Sequence, residues 1–257
     1  MTVEYAVEPA RCAALIRNAT AIVALTGAGL STAAGIPDFR GPQGLYVTRR
    51  YDPAKVFEID WFLREPSYFY QFSSDFVAAL QDIRPTATHR FLAMLERQGL
   101  LSAIVTQNID LLHQQSGSCA VTELHGSYAS ATCTGCARKY RDLTYHWWLD
   151  SMSQSSTPPV SRCSFCSGVL KPDIVFFGEP VNDFECAEQQ IAGCDLLLVL
   201  GSSLQVAPAS FLPYRSDATT LVVNRGDVAL SQAANRYFVE AELDDYFVRV
   251  ANCLHPG

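Results

Sequence analysis

Ala21-Ile-Val-Ala-Leu-Thr-Gly-Ala-Gly29 is a short apolar run that breaks into glycine. Continuous runs of this kind, without polar alternation, suit parallel strands covered on both faces. Three more segments follow the same plan: Ser102-Ala-Ile-Val-Thr106 runs into Gln-Asn, Leu196-Leu-Leu-Val-Leu200 into Gly-Ser-Ser, and Thr220-Leu-Val-Val223 into Asn-Arg-Gly. Helical patterns lie between them. Glu8 to Ala19 precedes the first strand, and Thr86 to Gln98 carries Phe91, Leu92 and Leu95 on one face, with Gly99 placed to end it. This alternation predicts an α/β chain with a doubly wound parallel sheet. Ligands of such sheets bind beyond the carboxyl ends of the strands. The clusters Gly27-Ala-Gly29, Gln107-Asn-Ile-Asp110, Gly201-Ser-Ser203 and Asn224-Arg-Gly226 are therefore expected to converge on one crevice.

Gly27-Ala-Gly29 opens a small-residue segment through Ser31 and Thr32, where backbone N–H groups can approach a pyrophosphate. By itself this Gly-x-Gly reads equally as a plain turn; the other three strand ends give it its weight. The next stretch, Gly35-Ile-Pro-Asp-Phe-Arg-Gly41-Pro-Gln-Gly44-Leu-Tyr46, has too many glycines and prolines for a regular helix. It reads as an ordered loop over the crevice. Arg40 can reach phosphate there, and Phe39 either excludes water from a reactive carbon or packs within the loop.

Two Cys-x-x-Cys knuckles, Cys133-Thr-Gly-Cys136 and Cys163-Ser-Phe-Cys166, interrupt the α/β alternation. Four thiols at this spacing make one closed tetrahedral zinc site, which holds structure and does no chemistry. A redox or disulfide role is the rival, and the pairing of two knuckles argues against it. The zinc module is expected over residues 128–170, inserted into a larger domain made of 1–127 and 171–257, with a helical insertion within about 45–80. Ser151-Met-Ser-Gln-Ser-Ser-Thr-Pro-Pro159 reads as an exposed loop in the module.

The 257 residues, 49% hydrophobic and 18% charged, describe a compact globular protein. The remaining cysteines, Cys12, Cys119, Cys186, Cys194 and Cys253, read as buried small hydrophobes in a reducing compartment. The N-terminus lacks the basic and apolar regions of a secretory signal, and no stretch approaches 18 apolar residues. A cytoplasmic location is expected. A net charge of −7 disfavours a duplex-DNA partner and suits acceptance of basic peptides.

Gly27 to Gly41, Thr106-Gln-Asn-Ile-Asp-Leu-Leu-His113, Leu124-His-Gly126, the four knuckle cysteines, Val175-Phe-Phe-Gly-Glu179 and Gly201-Ser-Ser-Leu-Gln-Val206 together resemble the sirtuins, in order and over nearly the whole chain. The likeness is to bacterial-type, acetyl-preferring members. It implies an NAD-dependent protein-lysine deacylase with a Rossmann-like NAD domain, a structural zinc and a cleft between domain and module. By the resemblance, Ala28, Gly29 and Thr32 line the phosphates and ribose of NAD. Phe39 shields the nicotinamide ribose carbon, and Arg40 sits near the phosphates. Gln107 and Asn108 hold the ribose and its water; Ile109 and Asp110 form the nicotinamide pocket. Ser202, Ser203, Asn224 and Glu242 lie on the adenosine side. His125 is the catalytic base, which suits an imidazole titrating near neutral pH. His89 and His113 are read as packing residues. Val175, Phe176, Phe177, Gly178 and Glu179 look like a strand that pairs with the substrate peptide, with Val206 on the other side.

The implied chemistry is attack of the acyl-lysine oxygen on NAD with loss of nicotinamide, then release of lysine and 2'-O-acyl-ADP-ribose. The alternative is a mono-ADP-ribosyltransferase on the same scaffold. A monomer without a specific nucleic-acid or membrane partner is expected. Members that remove diacid acyl groups carry a Tyr and an Arg where this chain aligns Ser73 and Phe76, so neutral acyl groups are expected here.

Overall fold

The computed structural model describes residues 7–36, 51–153 and 159–254. Its centre is a six-stranded sheet in the order β3-β2-β1-β7-β8-β9, built from β1 (Ile22–Thr26), β2 (Leu101–Thr106), β3 (Val121–Glu123), β7 (Leu196–Leu200), β8 (Thr219–Asn224) and β9 (Arg236–Glu240). Every pairing in it is parallel. The order reverses between β1 and β7, the topological switch point of a dinucleotide-binding sheet.

The apolar runs are buried on both faces, as their composition requires. Ile22, Ala24, Leu196, Leu198, Leu221 and Val223 face a core shared with the helices Pro9–Asn18, Ala87–Arg97 and Leu243–Leu254. Their neighbours Val23, Leu25, Leu197, Val199 and Val222 face the helix Phe184–Ala192 and the 3-10 segment Ala209–Arg215. Helix Ala87–Arg97 is capped twice. Thr86 and His89 form a capping box, and the Asp244 carboxylate accepts from the N–H groups of Ala87 (2.9 Å) and Thr88 (2.8 Å).

A second, antiparallel sheet runs β5-β4-β6, from β4 (Gly126–Cys133), β5 (Lys139–Tyr140) and β6 (Leu170–Ile174). The helices Pro53–Val56, Ile59–Arg64 and Pro66–Leu80 pack beside it. Phe62, Phe69, Tyr70 and Phe72 from the helices join Tyr128, Trp148, Met152, Leu170 and the ligand-type residues Cys133 and Cys163 in one aromatic core. The zinc segment thus contributes its share of a joint core, where its polar sequence led us to expect none.

Three expectations change. Cys12 and Cys194 are buried, but Cys119 and Cys186 are exposed and Cys253 is half-buried, because the turn before β3 and the outer face of helix Phe184–Ala192 carry the exposed pair to the surface. The stretch read as a loop from Ser151 begins as the end of helix Tyr145–Ser153. The regular strand β6 ends at Ile174, so Val175–Glu179 forms a turn, with only a bridge between Phe177 and Glu58.

At the switch point the backbones of two turns touch. A Cβ on Gly27 would lie 2.8 Å from the Gly201 carbonyl oxygen, and one on Gly201, at φ +63°, would lie 2.3 Å from the Leu30 nitrogen. Gly201→Ala is therefore expected to cost about 2 kcal/mol or more through strain and clash. Thermal unfolding should show a drop of roughly 4–8 °C for a chain of this size. An unchanged Tm would mean that the two turns have room to part.

Candidate active site and metal centre

The ends of β1, β2 and β7 place their polar residues around this glycine contact. Asn108 is buried, and its side-chain amide donates to the Gly27 carbonyl and to the Ser31 hydroxyl, each at 3.2 Å. Ser31 in turn donates to Asp110 Oδ2 at 2.6 Å, and the Leu112 N–H donates to Oδ1 at 3.0 Å. Burial raises the Asp110 pKa, and these two donors pull it back. Each carboxylate oxygen keeps a lone pair, so Asp110 can still accept from an amide. The Tyr145 hydroxyl donates to the Asp110 carbonyl at 2.7 Å, tying this corner to the helix beside the small sheet.

Beneath Asn108 runs a buried hydrogen-bond chain. The Asn108 N–H donates to Thr106 Oγ1 (3.0 Å), Thr26 Oγ1 to Thr106 Oγ1 (2.9 Å), and His113 Nε2 meets Thr26 Oγ1 at 2.9 Å. His89 packs on His113 with ring centroids 4.8 Å apart. Burial lowers both imidazole pKa values, that of His89 to about 3. They stay neutral at physiological pH and act as packing groups.

His125 sits between β3 and β4. Leu124 is buried in the core before it. Gly126 after it takes φ +65°, and a Cβ there would stand 1.9 Å from the Asp173 carbonyl oxygen. Only glycine lets the chain pass so close to β6, and this fixes where His125 points. His125 Nδ1 lies 2.9 Å from the Gln107 carbonyl. A carbonyl only accepts, so Nδ1 carries the proton and Nε2 is left as the basic nitrogen. Burial lowers the His125 pKa, and the Gln107 hydrogen bond partly offsets this. Gln107 also donates to Ser202 Oγ at 2.9 Å, linking the ends of β2 and β7.

The other expected residues fall as follows. Ala28, Gly29 and Thr32 lie on the turns after β1, and Thr32 Oγ1 donates to the Gly29 carbonyl at 3.0 Å. Ile109 lines the aromatic core. Ser203 follows β7, and its carbonyl accepts from Ala229 N–H. Asn224 ends β8, where its amide donates to the Arg225 carbonyl at 2.9 Å. Glu242 Oε2 accepts from Asp245 N–H at 2.8 Å, which gives it a helix-capping contact. Val206 accepts from Ser210 N–H. Phe176 is buried against Phe62 and Phe69, so of the two phenylalanines only Phe177, 47% exposed, presents a surface. Phe39 and Arg40 lie outside the described residues. Sequence reading gave no task to Ser31 or Tyr145. Both act through a single hydrogen bond that no spacing pattern announces.

The four knuckle sulfurs all lie within 4.8 Å of one another, with Cys133 and Cys166 at 3.4 Å and Cys136 and Cys163 at 3.8 Å. Tetrahedral zinc–thiolate bonds of about 2.3 Å put sulfurs about 3.8 Å apart, so the cage fits the metal. The N–H groups of Gly135 and Gly168 point at Cys133 and Cys166 sulfurs, each at 3.4 Å. Such donors favour thiolates. The Tyr140 hydroxyl lies 3.2 Å from Cys163 Sγ, held in place by the Ser164 N–H at 3.1 Å.

Residues 27–208 match the model of the Sir2 family. An NAD-dependent protein deacetylase of Caldivirga maquilingensis is 42% identical over 203 residues, which is 79% of this chain and 76% of that relative. One of Thermotoga maritima is 40% identical over 225 residues, 86% of this chain and 88% of that relative. A solved Sir2 structure with a deacetylated p53 peptide and 3'-O-acetyl ADP-ribose superposes with a TM-score of 0.86 at 34% identity, covering 95% of this chain and 98% of that one. A Sir2–p53 peptide–NAD+ complex gives 0.81 at 35% identity, over 93% and 95% of the two chains.

Hydrogen bonds to ligand atoms tune metal affinity by about 10–100-fold. Tyr140→Phe should therefore speed zinc transfer to a competing chelator by about tenfold while the folded spectrum persists. Wild-type release kinetics in that variant would take the Tyr140 hydroxyl out of the metal site.

Proposed function

The chain belongs to the Sir2 family, and we propose that it is an NAD-dependent protein-lysine deacetylase in which His125 and Asn108 run the acyl transfer. The observation that carries the assignment of roles is the placement of His125, with its proton fixed on Nδ1 by Gln107 and its Nε2 basic, beside the buried Asn108–Ser31–Asp110 cluster at the switch point.

Bound NAD supplies an electrophilic ribose carbon once nicotinamide leaves. The chain's own residues do the rest. Ala28, Gly29 and Thr32 offer backbone and hydroxyl groups to the phosphates and ribose. Asp110 accepts from the nicotinamide amide, and Asn108 orients the ribose and a water. Ser202, Ser203 and Asn224 meet the adenosine half, with Glu242 beside them. His125 Nε2 takes the proton of a ribose hydroxyl so that the hydroxyl can attack the acyl carbon. The acyl group then leaves lysine as 2'-O-acyl-ADP-ribose. Phe39, Arg40 and Ile109 are assigned to covering the reacting carbon and phosphates, by likeness to the family pattern. Relatives are named deacetylases, which favours this reading over ADP-ribosyl transfer to protein.

We assign residues 128–170 to the zinc-binding module and 1–127 with 171–257 to the NAD domain; the knuckles and the antiparallel sheet support that division. We also place the protein in the cytoplasm as a monomer, a reading supported by nine cysteines without a disulfide. Among the described residues no helix is long and apolar enough to cross a membrane.

His125→Ala should leave NAD affinity nearly intact and lower turnover by at least about 100-fold. Because burial holds the His125 pKa below 6.5, the free base persists through neutral pH. The acid limb of kcat/KM should therefore appear below pH 6.5 in wild type and vanish in the variant. Near-normal turnover of His125→Ala would remove the residue from this role.

Acyl choice follows from helix Pro66–Leu80. Ser73 is fully buried with its hydroxyl 3.2 Å from Tyr128 Oη, and Phe76 stacks on Phe72 at 5.4 Å. Neither offers a cation to a second carboxylate, whose uncompensated burial costs several kcal/mol. Acetyl-lysine peptide should exceed the succinyl-lysine peptide in kcat/KM by about two orders of magnitude. Ser73→Tyr would overpack this site, so Phe76→Arg alone is the variant expected to narrow the gap. Equal handling of both peptides by wild type would point to a cation from Arg49 or Arg50, which lie outside the described residues.

A further inference from the structure

The Val175–Glu179 turn is held in shape by an ion pair that the reaction itself does not use. Lys171 Nζ lies 2.8 Å from Glu179 Oε2, with both side chains largely buried. The ammonium also donates to the Ile174 carbonyl at 2.8 Å and the Pro172 carbonyl at 3.3 Å, and it sits 4.4 Å from the centre of the Phe176 ring. Glu179 Oε2 accepts in addition from the Phe176 N–H at 2.9 Å. The two charges thus bind the start of the turn to its end through side chains and backbone together.

The rest of the turn is anchored on both flanks. Val175 N–H donates to the His125 carbonyl (2.8 Å), Phe177 N–H to the Phe57 carbonyl (2.7 Å), Ile59 N–H to the Phe177 carbonyl (3.1 Å), and Glu179 N–H to the Phe176 carbonyl (3.0 Å). The N–H groups of Val175, Phe176, Phe177 and Glu179 are all spent inside the protein. A peptide pairing with this segment must therefore bring donors of its own and meet carbonyls. Carbonyls offered by a preformed turn cost an incoming peptide less ordering than those of a loose one.

We propose that Lys171 and Glu179 form a positioning clamp that fixes the carbonyls of the 175–179 turn for the acylated peptide, and so set the Michaelis constant for peptide but not for NAD. The inference rests on the reading of 175–179 as the peptide-receiving segment. The pair reaches no reacting atom, and its nearest link to the chemistry is the Val175–His125 backbone bond. Removing Lys171 leaves that bond in place while freeing Glu179 and the Ile174 carbonyl.

The test is steady-state kinetics on zinc-loaded, full-length Lys171→Met, Lys171→Arg and Glu179→Gln, with KM measured separately for an acetyl-lysine peptide and for NAD. Lys171→Met should raise peptide KM by about tenfold, keep NAD KM within about twofold and keep kcat within about threefold. Lys171→Arg, which restores the cation, should recover most of the loss. Glu179→Gln, which keeps an acceptor for the Phe176 N–H, should fall between and serves if Lys171→Met does not fold. Peptide KM within twofold of wild type in the folded variants overturns the clamp. So does a parallel rise in both KM values, which marks a general structural role. A separate arm tests the underlying reading on wild type alone: a peptide N-methylated on the residues flanking acetyl-lysine lacks the donors. If it turns over as well as its parent, 175–179 does not receive the peptide by backbone pairing, whatever the clamp variants do.

Discussion

Backbone touching backbone at the switch point is the constraint on which the site depends. Gly27 and Gly29 of the turns after β1 lie so close to Gly201, after β7, that a methyl group on any of them meets main-chain atoms at 2.8 Å or less. The Gly29 N–H donates to the Gly201 carbonyl at 2.8 Å and the Gly27 N–H to the Leu200 carbonyl at 3.0 Å. This seals the two halves of the sheet where strand order reverses. It also brings Ser31 within reach of Asn108 and Asp110, and Ser202 within reach of Gln107. The polar groups of three strand ends therefore meet because no side chains stand between them.

The zinc cage acts on the same cleft from a distance. Cys133 and Cys163 belong to the aromatic core that also holds Phe57, Phe62, Phe176 and, at its margin, Ile109. A structural zinc supplies on the order of 10–16 kcal/mol of apparent folding free energy. That energy orders β4 and β6, which carry Gly126 against Asp173 and thereby hold the loop of His125. The metal does no chemistry in this arrangement, yet the base depends on the sheet it closes.

Much of the central sheet could be read in the sequence because β1, β2, β7 and β8 are buried on both faces and so carry unbroken apolar runs. Strands β3 and β9 escaped that reading. Val121–Glu123 is three residues long, and Arg236–Glu240 keeps most of its side chains partly exposed at the sheet edge. The small sheet escaped too, since β5 has two residues and β6 carries Pro172, which edge strands tolerate. Helix Ala87–Arg97 was legible through its Thr86 cap and Gly99 stop. Asn108, Asp110, Gln107 and His125 stood out because they follow strands or precede a glycine. Ser31, Tyr145 and Lys171 did not, because each works through a tertiary contact to a residue far away in the chain. Phe176 was misjudged for the same reason: an alternating pattern cannot tell a cleft wall from the core of a neighbouring insertion.

The central claim is that nicotinamide leaves this site only when an acyl-lysine oxygen displaces it. The direct measurement is nicotinamide release from NAD by the zinc-loaded protein with an acetyl-lysine peptide, with the unmodified peptide, and with none, while acetyl carbon is traced by isotope. The account predicts release that depends on the acetylated peptide, with one acetyl group appearing on ADP-ribose for each nicotinamide freed. Equal release with the unmodified peptide, with ADP-ribose joined to protein and no acetyl on the nucleotide, would contradict it.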